Sequence, residues 1–184
     1  ETLNQGIALK RRIIEDLRPS SLSNLGLVAS LEILTREFAD RSGIEVVTAL
    51  EPVDLDANSE LTIYRLVQEA LTNIGKYAKA NKVHVNLKNY VYHAEVSVTD
   101  DGVGFDPADL PQSSHGLVGM RHRVEASGGR LDVNSQPGRG SRVSGTIPRR
   151  SAKQQQELAA AVSAMSADSY KASPAPLTPP DAPS

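Results

Sequence analysis

The stretch from Lys82 to Asp100 constrains the fold most. KVHVNLKNY (Lys82–Tyr90) and AEVSVTD (Ala94–Asp100) each alternate apolar with polar residues, and only a short turn separates them. Successive strand side chains point to opposite faces, so this pattern predicts two neighbouring strands with one apolar face to cover. Helices are available to cover it. One is expected from about Ser23 to Arg41, with Leu27, Leu31, Leu34 and Phe38 on one face and Ser42–Gly43 to stop it. IEVVTAL (Ile44–Leu50) reads as a strand, and a long helix is expected from about Asn58 to Ala80, with Asn58 as its N-cap. After a Gly-, Pro-, Ser- and Asp-rich loop, a helix from Leu117 to about Ala126 precedes two strands, RLDVNSQ and SRVSGTIP, joined across PGRG. Helices come first and strands later. That order predicts an α+β two-layer sandwich with helices on one face of a mostly antiparallel mixed sheet. The consecutive strands argue against a doubly wound parallel fold.

Outside this block the chain reads differently. Leu3, Ile7, Ile14 and Leu17 follow a four-and-three spacing interrupted by Lys10, and Pro19 stops that helix near Arg18. Residues 1–18 are therefore expected to be the end of a longer bundle helix that begins upstream; a solvated N-terminal helix of the domain is the competing reading. From Ser151 onward there is no Phe, Trp or Ile, and the chain closes with SPAPLTPPDAPS. Apart from a transient helix in QQQELAAAVSAM, residues 150–184 are expected to be a disordered tail. The 184 residues thus hold one domain, residues 19–149, and two appendages.

Composition removes whole classes of function. Cys is absent, which excludes thiol nucleophiles, zinc ribbons and disulfides. A net charge of −2 argues against nucleic-acid binding, which needs a strongly basic face. No run of 18 apolar residues spans a membrane, and no apolar signal core opens the chain, so a cytoplasmic location is expected, with the parent protein free to carry an inner-membrane anchor elsewhere.

What remains must work with carboxylates, amides, lysines and glycines. On the long helix, Ile63, Val67, Ala70, Leu71, Ile74 and Ala78 form the core face, and Glu69, Asn73 and Lys76 form a stripe beside it. An acid, an amide and an ammonium so placed can address a metal–phosphate group. Glu and Lys at this spacing also commonly form a solvated surface pair. DDGVGFD (Asp100–Asp106) follows a strand directly; Gly102 and Gly104 would let a ligand approach the backbone, and Asp100 could accept a hydrogen bond from an exocyclic amine. An ordinary tight turn is the plainer alternative. In HGLVGMRHRV (His115–Val124), Gly116 and Gly119 open a helix whose free N–H groups suit phosphate oxygens. No Walker A or Rossmann glycine pattern is present.

In this order the segments resemble one family. QEALTNIGKYAKA is similar to the N box of sensor histidine kinases, DDGVGFD to their G1 box, GLVGMRHRV to their G2 box and GRGS to the closing glycine motif. DLRPSSLSNLGL (Asp16–Leu27) resembles the junction ahead of the ATP domain in the nitrate-sensor-like subfamily, so the likeness runs from about Leu17 to Pro148. It implies a Bergerat ATPase fold binding ATP and Mg²⁺. It further implies that Asn73 ligates Mg²⁺, that Glu69 orients or accepts a proton at the reacting end and reaches the metal through water, and that Lys76 meets phosphate. Tyr77 would add a nucleotide contact. Asp100 would bind the adenine amine, with a water shared by Ser141 or a nearby backbone group, and Gly102 and Gly104 would shape the pocket. His115, Gly116, Leu117, Val118, Gly119 and Met120 would close over the phosphates beneath a mobile lid from Phe105 to Ser114.

Three departures stand out. Tyr77 takes the place of a usual His, and Ser141 that of the commoner Thr, keeping its hydroxyl. None of His84, His93, His115 and His122 fits the phosphoacceptor, which the family carries on an upstream helix. The resemblance therefore implies a kinase domain acting on a histidine outside this chain, for relay to a response regulator. The parent is expected to be a homodimer and this chain a monomer. The competing functions are a non-catalytic nucleotide-binding module and an anti-sigma-factor-type serine kinase or ATPase of the same fold.

Overall fold

The computed structural model describes residues 18–106 and 115–149. The expected N-terminal bundle helix, most of the lid and the C-terminal tail lie outside these residues.

Two helices open the domain, α1 (Ser20–Leu25) and α2 (Leu27–Ser42). The single helix expected from Ser23 to Arg41 is therefore divided, and it starts earlier. Gly26 divides it, with φ +80° and ψ 177°, angles that a side chain would resist. The Gly26 carbonyl then accepts hydrogen bonds from the Ser30 N–H and, at 2.7 Å, from the Ser30 hydroxyl. Leu27, Leu31, Leu34 and Phe38 are all buried, as their spacing requires.

Strand β1 (Glu45–Leu50) leads into helix α3 (Ala57–Asn73). Asp56, not Asn58, caps this helix, because its carboxylate reaches back to the free N–H groups of the first turn. Its Oδ1 accepts from Asn58 N at 2.9 Å and Ser59 N at 3.0 Å. The α-helical ladder also stops short of the expected Ala80. From Ile74 to Ala78 the chain winds as a wider π-helical turn, closed by Lys79 at φ +49°. Gly75 lies against the Phe38 ring there: a Cβ would sit 3.2 Å from its edge.

Strands β2 (Lys82–Asn89) and β3 (His93–Asp100) form the expected hairpin, each within a residue of its sequence-based bounds. Helix α4 (His115–Ala126) begins two residues early, and β4 (Arg130–Ser135) and β5 (Ser141–Pro148) follow. The strand order is β1-β2-β3-β5-β4. β1 runs parallel to β2 and every other pair is antiparallel, the mixed sheet expected.

The register explains both core and site. Leu87, Val96, Gly145 and Leu131 lie side by side across four strands, and Val85, Val98, Val143 and Val133 form the next row. The buried members of these rows pack with Leu31, Ile63, Leu66, Val67 and Leu71 in one core. Each such Leu or Val contributes about 1.5–3 kcal/mol by leaving water. Gly145 lets α3 come close, since a Cβ there would sit 2.7 Å from Leu66 Cδ1. The third row is Val83, Asp100, Ser141 and Ser135. At this end of the same inward face, the core turns polar.

Candidate functional site

Asp100 continues the inward alternation of Val96 and Val98 and is only 6% exposed. A carboxylate so placed needs donors. The Gly102 N–H supplies one to Oδ1 at 2.8 Å, and the hydroxyl and N–H of Ser141 also reach the carboxylate. Burial nevertheless dominates and raises its pKa above the ordinary carboxylate value, against the opposing pull of these hydrogen bonds. The neighbouring Asp101 faces outward and behaves oppositely. Its Oδ1 accepts from Lys82 N at 2.9 Å and Asn81 N at 2.8 Å, which lowers its pKa and ties the end of β3 to the start of β2.

Beyond Asp100 the chain is pinned on both sides. Val103 N donates to the Ala78 carbonyl at 2.7 Å, and Gly138 N donates to the Val103 carbonyl at 2.6 Å. At Gly102 a side chain would collide with the Ala78 carbonyl, and at Gly104 (φ +62°) with the Gln136 carbonyl. The G1 segment is thus clamped between the π-helical turn and the β4–β5 loop. Ser135 completes the clamp: its hydroxyl accepts the Phe105 N–H at 2.9 Å and lies 3.1 Å from both the Gly140 carbonyl and Ser141 Oγ.

Between this sheet end and α3 lies a cavity of about 670 Å³, lined by Glu69, Asn73, Lys76, Tyr77, Asp100, Gly104, Gly116, Leu117 and Ser141. Ala70, Ile74, Ala78, Val98, Val103, Phe105 and Val143 make its apolar walls. The volume falls in the range of small-ligand sites, about 300–1,000 Å³, and a few polar groups amid apolar walls are the usual pattern. Gly116 holds the start of α4 against Glu69, because a Cβ there would meet the Glu69 carboxylate and come within 3.5 Å of Asn73 Nδ2. Acid, amide and helix N-terminus therefore meet at one point.

Nine of the residues singled out by sequence line this cavity; Gly102, Val118, Gly119 and Met120 do not. Gly102 shapes the loop without lining the cavity, Val118 is 56% exposed, and Met120 is buried in the core. Gly119 faces the Arg123 guanidinium. The His115 side chain lies outside the description. Sequence reasoning missed Ser135 and the apolar walls. Ser135 was within reach, as it extends the Leu131–Val133 alternation by one step; Ile74 and Val143 looked like ordinary core residues.

Among the described residues no three His, Cys, Asp or Glu side chains gather to hold a metal. Asn73 and Glu69 alone could serve a Mg²⁺ ion, which commonly takes few protein ligands and completes its shell with phosphate and water. The donor set fits a metal carried in with a phosphate ligand. Among the described residues no helix is long and apolar enough to cross a membrane.

Comparison with known proteins agrees with this geometry. The family model described as "Histidine kinase-, DNA gyrase B-, and HSP90-like ATPase" matches residues 58–151. The chain is 36% identical to the signal transduction histidine-protein kinase/phosphatase DegS of Brevibacillus brevis, over 79% of the chain and 38% of the relative. It is 38% identical to the oxygen sensor histidine kinase NreB of Staphylococcus carnosus, over 75% of the chain and 41% of the relative. The chain thus spans less than half of each relative's length. Among solved structures, the histidine kinase domain of the Erythrobacter litoralis EL346 blue-light activated histidine kinase superposes with a TM-score of 0.59 at 25% identity, covering 70% of this chain and 62% of that one. The chain belongs to the family of histidine kinase-, DNA gyrase B- and HSP90-like ATPases and carries the catalytic ATP-binding domain of a sensor histidine kinase.

Proposed function

We propose that this domain binds ATP with Mg²⁺ and transfers the γ-phosphate to a histidine outside the chain, for relay to a response regulator. One observation carries the proposal: a single cavity joins a buried carboxylate on the sheet to an acid and an amide on α3. Asp100 has lone pairs left after its donors are counted, and can accept the exocyclic N–H of adenine while rejecting the carbonyl of guanine. Ser141 and the Gly102 N–H hold that carboxylate in place, and the apolar walls take the base. At the other end, Asn73 offers an amide oxygen and Lys76 an ammonium to the phosphates. A bound Mg²⁺ would neutralise phosphate charge. Glu69, beside the α4 N-terminus, is positioned to orient the incoming imidazole and take its proton.

The described histidines support an acceptor elsewhere. His84 lies on β2, His93 stacks on Tyr90 with ring centroids 4.7 Å apart, and His122 is exposed on α4; none lines the cavity. Residues 1–18 then serve as the end of a dimerisation helix, and residues 19–149 as the catalytic domain. Calorimetry with ATP, with and without Mg²⁺, tests the metal assignment. Wild type should bind ATP more tightly with Mg²⁺, and Asn73→Ala should remove that difference. An intact Mg²⁺ effect in Asn73→Ala would refute the role of Asn73.

A further inference from the structure

Ser135 ends β4 at 7% exposure, beside Ser141, which in turn lies beside Asp100 in the register of the sheet. It does not line the nucleotide cavity. The alternation from Leu131 and Val133 turns it to the inward face, where a hydroxyl is costly to bury without partners. The Phe105 N–H donates to Ser135 Oγ at 2.9 Å, and Ser135 Oγ donates toward Ser141 Oγ and the Gly140 carbonyl, each 3.1 Å away. The Ser141 hydroxyl in its turn hydrogen-bonds the Asp100 carboxylate.

Direction matters in this run. A backbone N–H can only donate, and an ionised carboxylate can only accept. Asp100 therefore draws the Ser141 proton, since hydrogen bonds to a charged acceptor are about twice as strong as neutral ones. That leaves Ser141 Oγ as an acceptor, and Ser135 faces it with a proton. A serine side chain on its own has three staggered wells to choose from; Ser135 holds this one from behind. Gly140 tightens the same arrangement through the backbone, because a Cβ there would collide with the Asp100 carbonyl.

We propose that Ser135 is a positioning residue for base selection: it holds the Ser141 hydroxyl on Asp100, so that the carboxylate keeps an acceptor turned to the cavity. The inference rests on the reading of Asp100 as the acceptor of the adenine amine. Guanine presents a carbonyl where adenine presents that amine, so an acceptor fixed in place favours ATP over GTP. Ser135 lies outside the cavity wall and acts through Ser141 and Asp100.

Calorimetry on the whole chain with ATP and with GTP, each with Mg²⁺, tests this. Ser135→Ala should weaken ATP binding about fivefold, the scale of one lost hydrogen bond, and change GTP binding less than twofold. Ser135→Thr keeps the hydroxyl on a strand that suits β-branched side chains, and should restore most of the preference for ATP. Ser135→Cys keeps the volume with only a weak donor and should lose that preference as alanine does, so the result does not hang on the folding of one variant. A second arm repeats Ser135→Ala in the Asp100→Asn background, where the further loss of ATP affinity should be less than twofold. Equal weakening of ATP and GTP, or an undiminished loss in the Asp100→Asn background, would overturn the role of Ser135 and leave Asp100 as the adenine acceptor. Equal affinities of the wild type for ATP and GTP would defeat the Asp100 reading itself, and the role of Ser135 with it.

Discussion

At the residue scale, Asp100 is a buried carboxylate whose charged form costs stability, the price of the adenine recognition proposed for it. Its folded pKa is raised by burial, so the folded domain binds that proton more tightly than the unfolded chain does. The protonated form therefore stabilises the fold at low pH, and that contribution is lost as pH rises through the raised pKa. Asp101 has the opposite sign: its contribution is present above the ordinary carboxylate pKa and is lost as pH falls. Asp100→Asn removes a buried charge yet cannot offer an acceptor-only group to adenine. It should melt at a higher temperature than wild type at neutral pH, by a margin that narrows toward about pH 4, and should bind ATP about 10- to 100-fold more weakly. Thermal scans against pH, paired with calorimetry, check both halves. Gly116 gives a second case. In Gly116→Ala the new methyl displaces the flexible end of Glu69, so phosphotransfer should fall about 100-fold, with ATP affinity changed less than threefold. Equal losses in rate and affinity would show that Gly116 serves binding alone.

At the element scale, the sequence was legible wherever one period ran unbroken. The alternation in β2 and β3 and the apolar faces of α2 and α3 located these elements to within a few residues, because those patterns come directly from burial. The misses occur where a single residue breaks the period. Gly26 splits a helix that looks continuous, since glycine is tolerated inside helical patterns and marks a break only when its angles are known. The π-helical turn was hidden for a related reason: one extra residue per turn shifts the faces of Lys76 and Tyr77 without altering composition. Asn58 and Asp56 are both good capping residues, and only geometry separates them. Asp56→Ala should consequently cost about 1 kcal/mol of stability while leaving ATP affinity within twofold, whereas Asn58→Ala should cost little. Denaturant titration distinguishes them, and equal losses would contradict the assignment of Asp56 as the cap.

At the scale of the whole molecule, the site is a meeting of distant segments. Sequence named the acid, the amide and the buried carboxylate singly, but each had an ordinary alternative as a surface pair or a turn. The register of β3, β5 and β4 supplies what spacing alone lacks. It places Asp100, Ser141 and Ser135 in one row, at the end of the face that α3 covers. The apolar walls could not be singled out in advance, because a residue lining a cavity and a residue filling a core obey the same pattern. The central claim is that this cavity activates ATP for a histidine lying outside the chain. Incubation with γ-labelled ATP and Mg²⁺, alone and with the histidine-bearing parent protein carrying Asn73→Ala, tests it most directly. The account predicts acid-labile label on the added protein and none on this chain. Acid-labile label on this chain alone, or acid-stable label on either protein, would contradict it.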